Sequence, residues 1–455
     1  MMKKIIRYLF ALLIIAGVGS GCDNFLSPSV DQNKPVEGAI QSGSDMQAVV
    51  YGAYDDLNRV ELFGRDFLVS AEAMTDNAFS NGNSGRFITQ DQVNFTVNSG
   101  YALGVWQYFY ETIADANIAI NADIASSPEV DEYRGQAYAV RAFAHMNLLL
   151  AFGQQYVAGG DASKGIPYVT TYNEGDFYPP RDPIADVWTK IGQDFDSAVS
   201  LLDPNNFKVT EMNYWAVRAL QTRYYLYTKQ YDQVKTVAEE IINSGNFSIT
   251  PAGQYVADWE SGSGPESLFE LAFTTTDRLG TDNIARIYRD TNYGDVEVSA
   301  DLYNAYDPND VRLGLYSDDA GTYRMVGKYF DELGSDNVRI IRYAEVILNY
   351  AEALAQDPAT QPDALTELTK ITSNRNEPAY TSGTVDNVLR ERRLELAMEG
   401  HRLYDLARTG RDIPVGDTRS YRTSTISYGD YRYALPIPDS EIRANSNVTQ
   451  NEGYN

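Results

Sequence analysis

The sequence predicts a mainly α-helical protein. Its scaffold is a set of paired helices, with an inserted, irregular, loop-rich region that carries short strands. Three observations carry this expectation. Apolar residues recur with helical spacing in consecutive pairs of segments. Alanines stand where two such segments must approach closely. Two long stretches, 60–103 and 246–340, lack the helical period and are rich in Gly, Asn, Asp, Ser and Tyr.

Taken in order, the chain begins with Lys3, Lys4 and Arg7, then an apolar run from Leu9 to Val18 too short for a stable membrane-spanning helix. Gly19, Ser20 and Gly21 lead to Cys22, the single cysteine of 455 residues. This is the layout of a bacterial lipoprotein signal, so residues 1–21 are expected to be removed and Cys22 to become an acylated N-terminus. An ordinary secretory signal is the weaker alternative, because a lone thiol has no partner to pair with outside the cell. Several acyl chains, at about 0.8 kcal/mol per buried CH₂, hold a protein on a membrane far better than one. Residues 22–40 then read as a polar, Pro-containing arm.

The first helical pair is 105–124 followed by 134–153, the second of these apolar around most of its circumference and closed by Gly153. The next helices are expected over 183–202, with Asp182 and Pro183 as start signals, then 212–230 and 231–245, where Ala216, Ala219 and Ala238 permit close packing. A third pair is 342–356 and 364–375. Units of about 34 residues with this spacing look like tetratricopeptide repeats, which must stack to bury their apolar faces. The expected divisions are 41–245, a helical part with loops; 246–340, the irregular insertion, with a β-like piece at 267–273; and 341–455, a second helical part. Together, 22–455 should form one compact unit.

The formal net charge of −26 repels phosphate backbones, so nucleic acid is excluded as a partner. Tyrosine dominates the aromatics, 34 against 17 Phe and 4 Trp, and suits half-wet binding surfaces. Only His145 and His401 are present, which excludes a His-rich metal site, and no phosphate loop or nucleophile elbow occurs. No cofactor or metal is expected. His145 lies in an apolar helix and reads as a satisfied core residue. In "MEGHRLYDLARTG" (398–410), His401 and Asp405 are i, i+4 neighbours, but Glu399, Arg402, Asp405 and Arg408 read better as an internally paired charge network. Arg390, Arg392 and Arg393 are read in the same way.

Several segments together resemble one family: the lipoprotein start with "CDNFL", "AYAVRAFAHMNLLLAFG" (137–153), "RYAEVILNYAEAL" (342–354), "LRERRLELAMEGHRLYDLARTG" (389–410) and "YALPIPDSEIRANSNVTQNEGY" (433–454). They are similar to the SusD/RagB family of Bacteroidota outer-membrane lipoproteins. The resemblance implies a lipid-anchored protein on the outer membrane that faces the exterior. It also implies a SusC-like TonB-dependent transporter as partner, with this chain as a lid that captures oligosaccharide or, in some members, peptide. Catalysis is not implied. A surface glycoside hydrolase using two carboxylates is the main competing reading, and a repeat scaffold binding only proteins is the third.

A saccharide site needs flat aromatic faces beside paired hydrogen-bonding groups. The stretch "AEAMTDNAFSNGNSGRF" (71–87) offers Asp76, Asn77, Phe79, Arg86 and Phe87, and its "TDN" resembles a motif near the ligand sites of family members. The stretch "ARIYRDTNYGD" (285–295) offers Tyr288, Arg289, Asn292 and Tyr293. Trp106 could face either site or core, and Trp259 is read as an exposed, weaker candidate. Phe87 and Tyr288 are expected on loops, where truncation would weaken binding and spare stability.

Overall fold

The computed structural model describes residues 38, 40–172, 178–289 and 293–454. The expected leader, Cys22, nearly all of the arm, and Asn292 lie outside the described residues.

Helix α1 (Gly43–Leu57) starts at Ser42, whose hydroxyl accepts the Asp45 N–H. A short α2 (Asp66–Ala73), strand β1 (Ala78–Ser80) and α3 (Ile88–Gln92) lead to α4 (Gly100–Ile120) and α5 (Pro128–Phe152). Ser99 and Ser127 cap α4 and α5, and Pro128 sits where its missing N–H does no harm. Every residue of α5 from Ala139 to Phe152 is buried, because α1, α4 and α6 (Ile184–Leu201) all pack on it. The all-round apolar sequence of α5 thus reflects burial on several sides. Gly153 does cap α5, but with an extended backbone rather than a left-handed one.

Helices α7 (Tyr214–Tyr227) and α8 (Tyr231–Ser244) form the next pair, with Ala216, Ala219 and Ala238 fully buried. The insertion contributes α9 (Tyr255–Ser261), β2 (Ser267–Leu271), α10 (Ile284–Arg289), β3 (Val296–Val298), α11 (Ala300–Tyr303), β4 (Tyr316–Asp319), β5 (Thr322–Met325) and β6 (Val338–Arg342). The chain closes with α12 (Tyr343–Ala355), α13 (Gln361–Thr372), α14 (Val385–Glu395), α15 (Arg402–Arg408) and α16 (Asp439–Ala444).

Two antiparallel sheets result. One has the strand order β1-β3-β5-β4, and the other pairs β2 with β6. β1 comes from the first irregular stretch and β3 from the second, with Ala78 opposite Val298 and Ser80 opposite Val296. Inserted residues such as Tyr288, Val298 and Met325 belong to the same continuous apolar core as the helices. The fold is mainly helical, as expected.

Buried charges tie the last helices to the insertion. Glu395 accepts from Arg375 at 2.9 and 3.0 Å, from Arg342 at 3.1 Å and from Arg312 at 3.2 Å. Burial alone would raise its pKa, but the three guanidinium groups, Arg375 foremost, hold it well below the usual carboxylate range. Removing one member of such a group leaves an uncompensated buried charge, at a cost of about 3–5 kcal/mol. Residues 389–410 do not form one continuous helix. Met398 and Gly400 both adopt positive φ, and a side chain at Gly400 would meet Leu68 at 2.8 Å, so α14 and α15 are separate.

Candidate ligand-binding site

The pairing of β1 with β3 makes the loop 81–87 and the segment 293–295 emerge side by side. The Asn81 N–H donates to the Asp295 carbonyl at 2.9 Å, and its side-chain amide donates to the Gly294 carbonyl at 2.6 Å and to Glu297 at 3.1 Å. The Ser80 hydroxyl donates to the Arg86 carbonyl at 2.7 Å and closes the loop on itself. From this frame Arg86 lies over the Tyr293 ring, 5.5 Å from its centre, with Arg286 at 5.9 Å from the same centre. The Arg86 guanidinium also stands 3.6 Å from Asp282 and 3.8 Å from Asp295. These are charge contacts longer than hydrogen bonds.

A third stretch, 417–422, closes the other side. Gly82 has φ +74°, and a side chain there would collide with the Tyr421 hydroxyl. The Tyr421 N–H donates to Asp91 at 2.9 Å, and the Ser420 hydroxyl bonds the same carboxylate. Arg419 reaches Glu297 at 3.0 Å and covers the Phe79 ring at 4.6 Å. The outcome is a platform with one half-buried ring (Tyr293), one ring 42% exposed (Tyr421), and Arg86, Asp282, Asn81 and Arg419 around them.

Of the residues singled out in the sequence, the platform joins Arg86 and Tyr293. The structure places the others elsewhere. Asp76 and Asn77 are buried and serve the fold. Asp76 accepts from Arg402 at 2.8 Å through both oxygens and pairs with Arg393 at 3.0 Å. Asn77 bonds Glu72 at 2.7 Å and Arg393 at 2.9 Å. Burial would raise the Asp76 carboxyl, but hydrogen bonds from Arg402, backed by that charge and the charge of Arg393, leave it lowered. Phe79 and Phe87 are buried in the core side of the loop, Phe87 with a left-handed backbone.

Tyr288 is fully buried against Tyr329, and its hydroxyl lacks a hydrogen-bond partner. Arg289 turns away and donates to the Phe330 carbonyl. Trp106 is 5% exposed and packs on Phe152 and Tyr110, and it lines a different cleft from the platform. Trp259, read as exposed, is buried beneath Arg339, Lys328 and Arg342.

The charged segment behaves as expected. Glu399 binds Arg342 and Lys328, while Asp405 binds Arg392 and Arg408. His401 precedes α15, is buried near Glu345 at 3.8 Å, and is pushed down to about 4, by burial first. His145 is likewise satisfied: Nδ1 lies 2.9 Å from the Arg141 carbonyl, and Nε2 accepts the Val169 N–H at 3.1 Å. Neither histidine can serve the platform. Among the described residues no cluster suits a metal ion, and no helix is long and apolar enough to cross a membrane.

Sequence reasoning missed Asn81, Asp282, Arg419 and Tyr421. Their relevance comes from pairing across more than a hundred residues, which no local pattern announces.

Comparisons with known proteins agree with this architecture. Residues 327–454 match the SusD family profile, and residues 24–226 match a profile described as starch-binding associating with outer membrane. Two SusD-like proteins of Formosa agariphila are similar along almost the whole chain. P38 is 25% identical over 91% of this chain and 93% of its own length, and P2 is 26% identical over the full length of both. Among solved structures, a SusD superfamily protein from Bacteroides vulgatus aligns with TM-score 0.83 and 28% identity over 91% of this chain and all of its own. Another from Bacteroides thetaiotaomicron gives 0.81 and 26% over 90% and 99%. A surface glycan-binding protein from Bacteroides fluxus shares the fold, with TM-score 0.73 and 21% identity over 91% of this chain and all of its own. With these matches spread across both helical parts, the chain belongs to the SusD/RagB family.

Proposed function

We propose that this protein is a non-catalytic binding lipoprotein of the outer-membrane surface. It captures oligosaccharide on the Tyr293–Arg86–Tyr421 platform and passes it to a SusC-like TonB-dependent transporter, for which it acts as lid. Acylated Cys22 would moor it. The observation that carries this reading is the platform itself: one half-buried and one exposed tyrosine ring beside a guanidinium, the exposed Asp282 carboxylate and an amide. A pyranose stacks its C–H face on such rings and offers paired hydroxyls to planar polar groups. Its hydroxyls could bridge Arg86 and the half-exposed Asp282, which stand 3.6 Å apart. The glycan and sugar ligands of family relatives support the same ligand class.

The hydrolase reading is disfavoured by the same geometry. Of the carboxylates beside Tyr293, Asp282 is exposed and Asp295 is buried, so the two do not face each other across an open cleft as a catalytic pair must.

The test uses the chain carrying Cys22→Ser, titrated calorimetrically against a panel of oligosaccharides and peptides. Arg86→Ala and Tyr293→Ala should each weaken the bound oligosaccharide by about tenfold, roughly 1.4 kcal/mol. Unchanged affinity in both variants would refute the site, release of shortened products would refute the non-catalytic reading, and selective peptide binding would replace the ligand class. Co-purification of the native chain with a large outer-membrane barrel tests the partner.

A further inference from the structure

A deep cleft on the helical part shares no residue with the platform. It lies between α4, the segment after α5 around 167–172, and α16, and encloses about 540 Å³. That is within the usual range for small-ligand clefts, about 300–1,000 Å³. Trp106, Tyr110, Val169 and Tyr172 form its apolar wall. The wall is preformed. The Trp106 ring is wedged between Tyr110 and Phe152, each 5.0 Å centre to centre, and the Tyr110 hydroxyl donates to the Pro167 carbonyl at 2.8 Å. On the opposite side the Asn445 amide donates to the Pro179 carbonyl at 2.9 Å and holds α16 in place.

Two features describe the ligand. Tyr172 is 41% exposed and Leu103 40%, so an aromatic ring and an aliphatic side chain meet solvent at the mouth. The rim is polar and carries no cation: Gln107, Glu111, Ser440, Glu441 and Asn445 line it, with Gln107 bonded to Glu111 at 2.8 Å and Asn445 to Glu441 at 3.3 Å. Glu111 has a cation only behind the rim, Arg59 at 3.7 Å, so Glu441 and the net charge of −26 repel phosphate, sulfate and uronate. Amides, a hydroxyl and carboxylates suit vicinal hydroxyl pairs, and a plain hydrocarbon would leave those groups unused.

We propose that this cleft is a second site for a neutral saccharide, which stacks on Tyr172 and hydrogen-bonds Glu441 and Asn445. The proposal rests on the reading that the protein binds saccharide, but not on the platform. The chain has one cysteine, so Cys22→Ser with Leu103→Cys leaves a single thiol at the cleft mouth for an environment-sensitive dye. The probes are maltohexaose, xylohexaose and laminarihexaose.

At least one should give a saturable spectral shift that Tyr172→Ala weakens about tenfold and Arg86→Ala leaves unchanged. Silence with all three overturns the proposal. So does a shift that is lost in Arg86→Ala, which would report the platform at a distance. A dye already shielded by a second copy of the chain, recognised by its dependence on protein concentration, overturns it as well. A cleft signal in a protein whose calorimetry ignores Arg86→Ala and Tyr293→Ala would sink the platform and leave the cleft standing.

Discussion

Replacing Asp76 with alanine separates a structural role from a ligand-binding one. The carboxylate accepts two 2.8 Å bonds from Arg402 and lies 3.0 Å from Arg393, with its own side chain 5% exposed. Arg393 keeps a second partner in Asp301 at 2.7 Å, but Arg402, 14% exposed, has no other carboxylate within ion-pair distance among the described residues. The substitution therefore strands one largely buried guanidinium, which costs about 3–5 kcal/mol. Unfolding entropy scales as about 2.1 cal/mol/K per residue, so a cooperative chain of this length should melt roughly 3–5 °C lower.

Scanning calorimetry reads this directly, and an Asp76→Ala/Arg402→Ala cycle should return a coupling above about 1 kcal/mol. The pH sign follows from the lowered carboxyl. Its stabilisation is complete above the unfolded value, about 3.9, and is lost as pH falls through the lower folded value. The wild-type and Asp76→Ala curves should therefore converge only in acid. A variant that melts within a degree of wild type but loses oligosaccharide affinity would refute this reasoning and return Asp76 to the ligand.

Tyr288→Phe should be neutral or stabilising by up to about 1 kcal/mol in chemical denaturation, because the buried hydroxyl has no partner, whereas Tyr288→Ala should cost about 3–5 kcal/mol. Asp115 is pushed up to about 6 by burial first and then by Asp56 and Glu111. Its charge opposes folding at neutral pH, and that penalty fades as pH falls through 6 toward 4. Asp115→Asn should thus stabilise by about 1 kcal/mol at pH 7, with the gain gone near pH 4 in paired melting curves. Cys22→Ala should release the protein from membranes on fractionation, and unchanged retention would refute the lipid anchor.

The helices were legible because their signals are local. Ser-X-X starts, alanine faces and the Asp-Pro start of α6 lie within a few residues of the structure they dictate. The charged segment 398–410 was legible too, since so many ions on one short stretch must find partners inside the fold. The platform was half legible. Arg86 and Tyr293 stood out by type, but Gly- and Asn-rich surroundings made Phe87 and Tyr288 look superficial. In fact Phe87 is buried at the end of its loop, and Tyr288 belongs to helix α10 and packs into the core. Arg419 and Tyr421 were invisible, because their approach depends on the Asp91 contacts rather than on any spacing in the chain.

The contacts of Asn81 with residues 294–297 and of Tyr421 with Asp91 have one more implication. Three ribbons of chain, made early, midway and late in synthesis, must all arrive before a complete receptor surface exists. An unfinished or partly folded copy would lack that surface, so only the completed fold presents it.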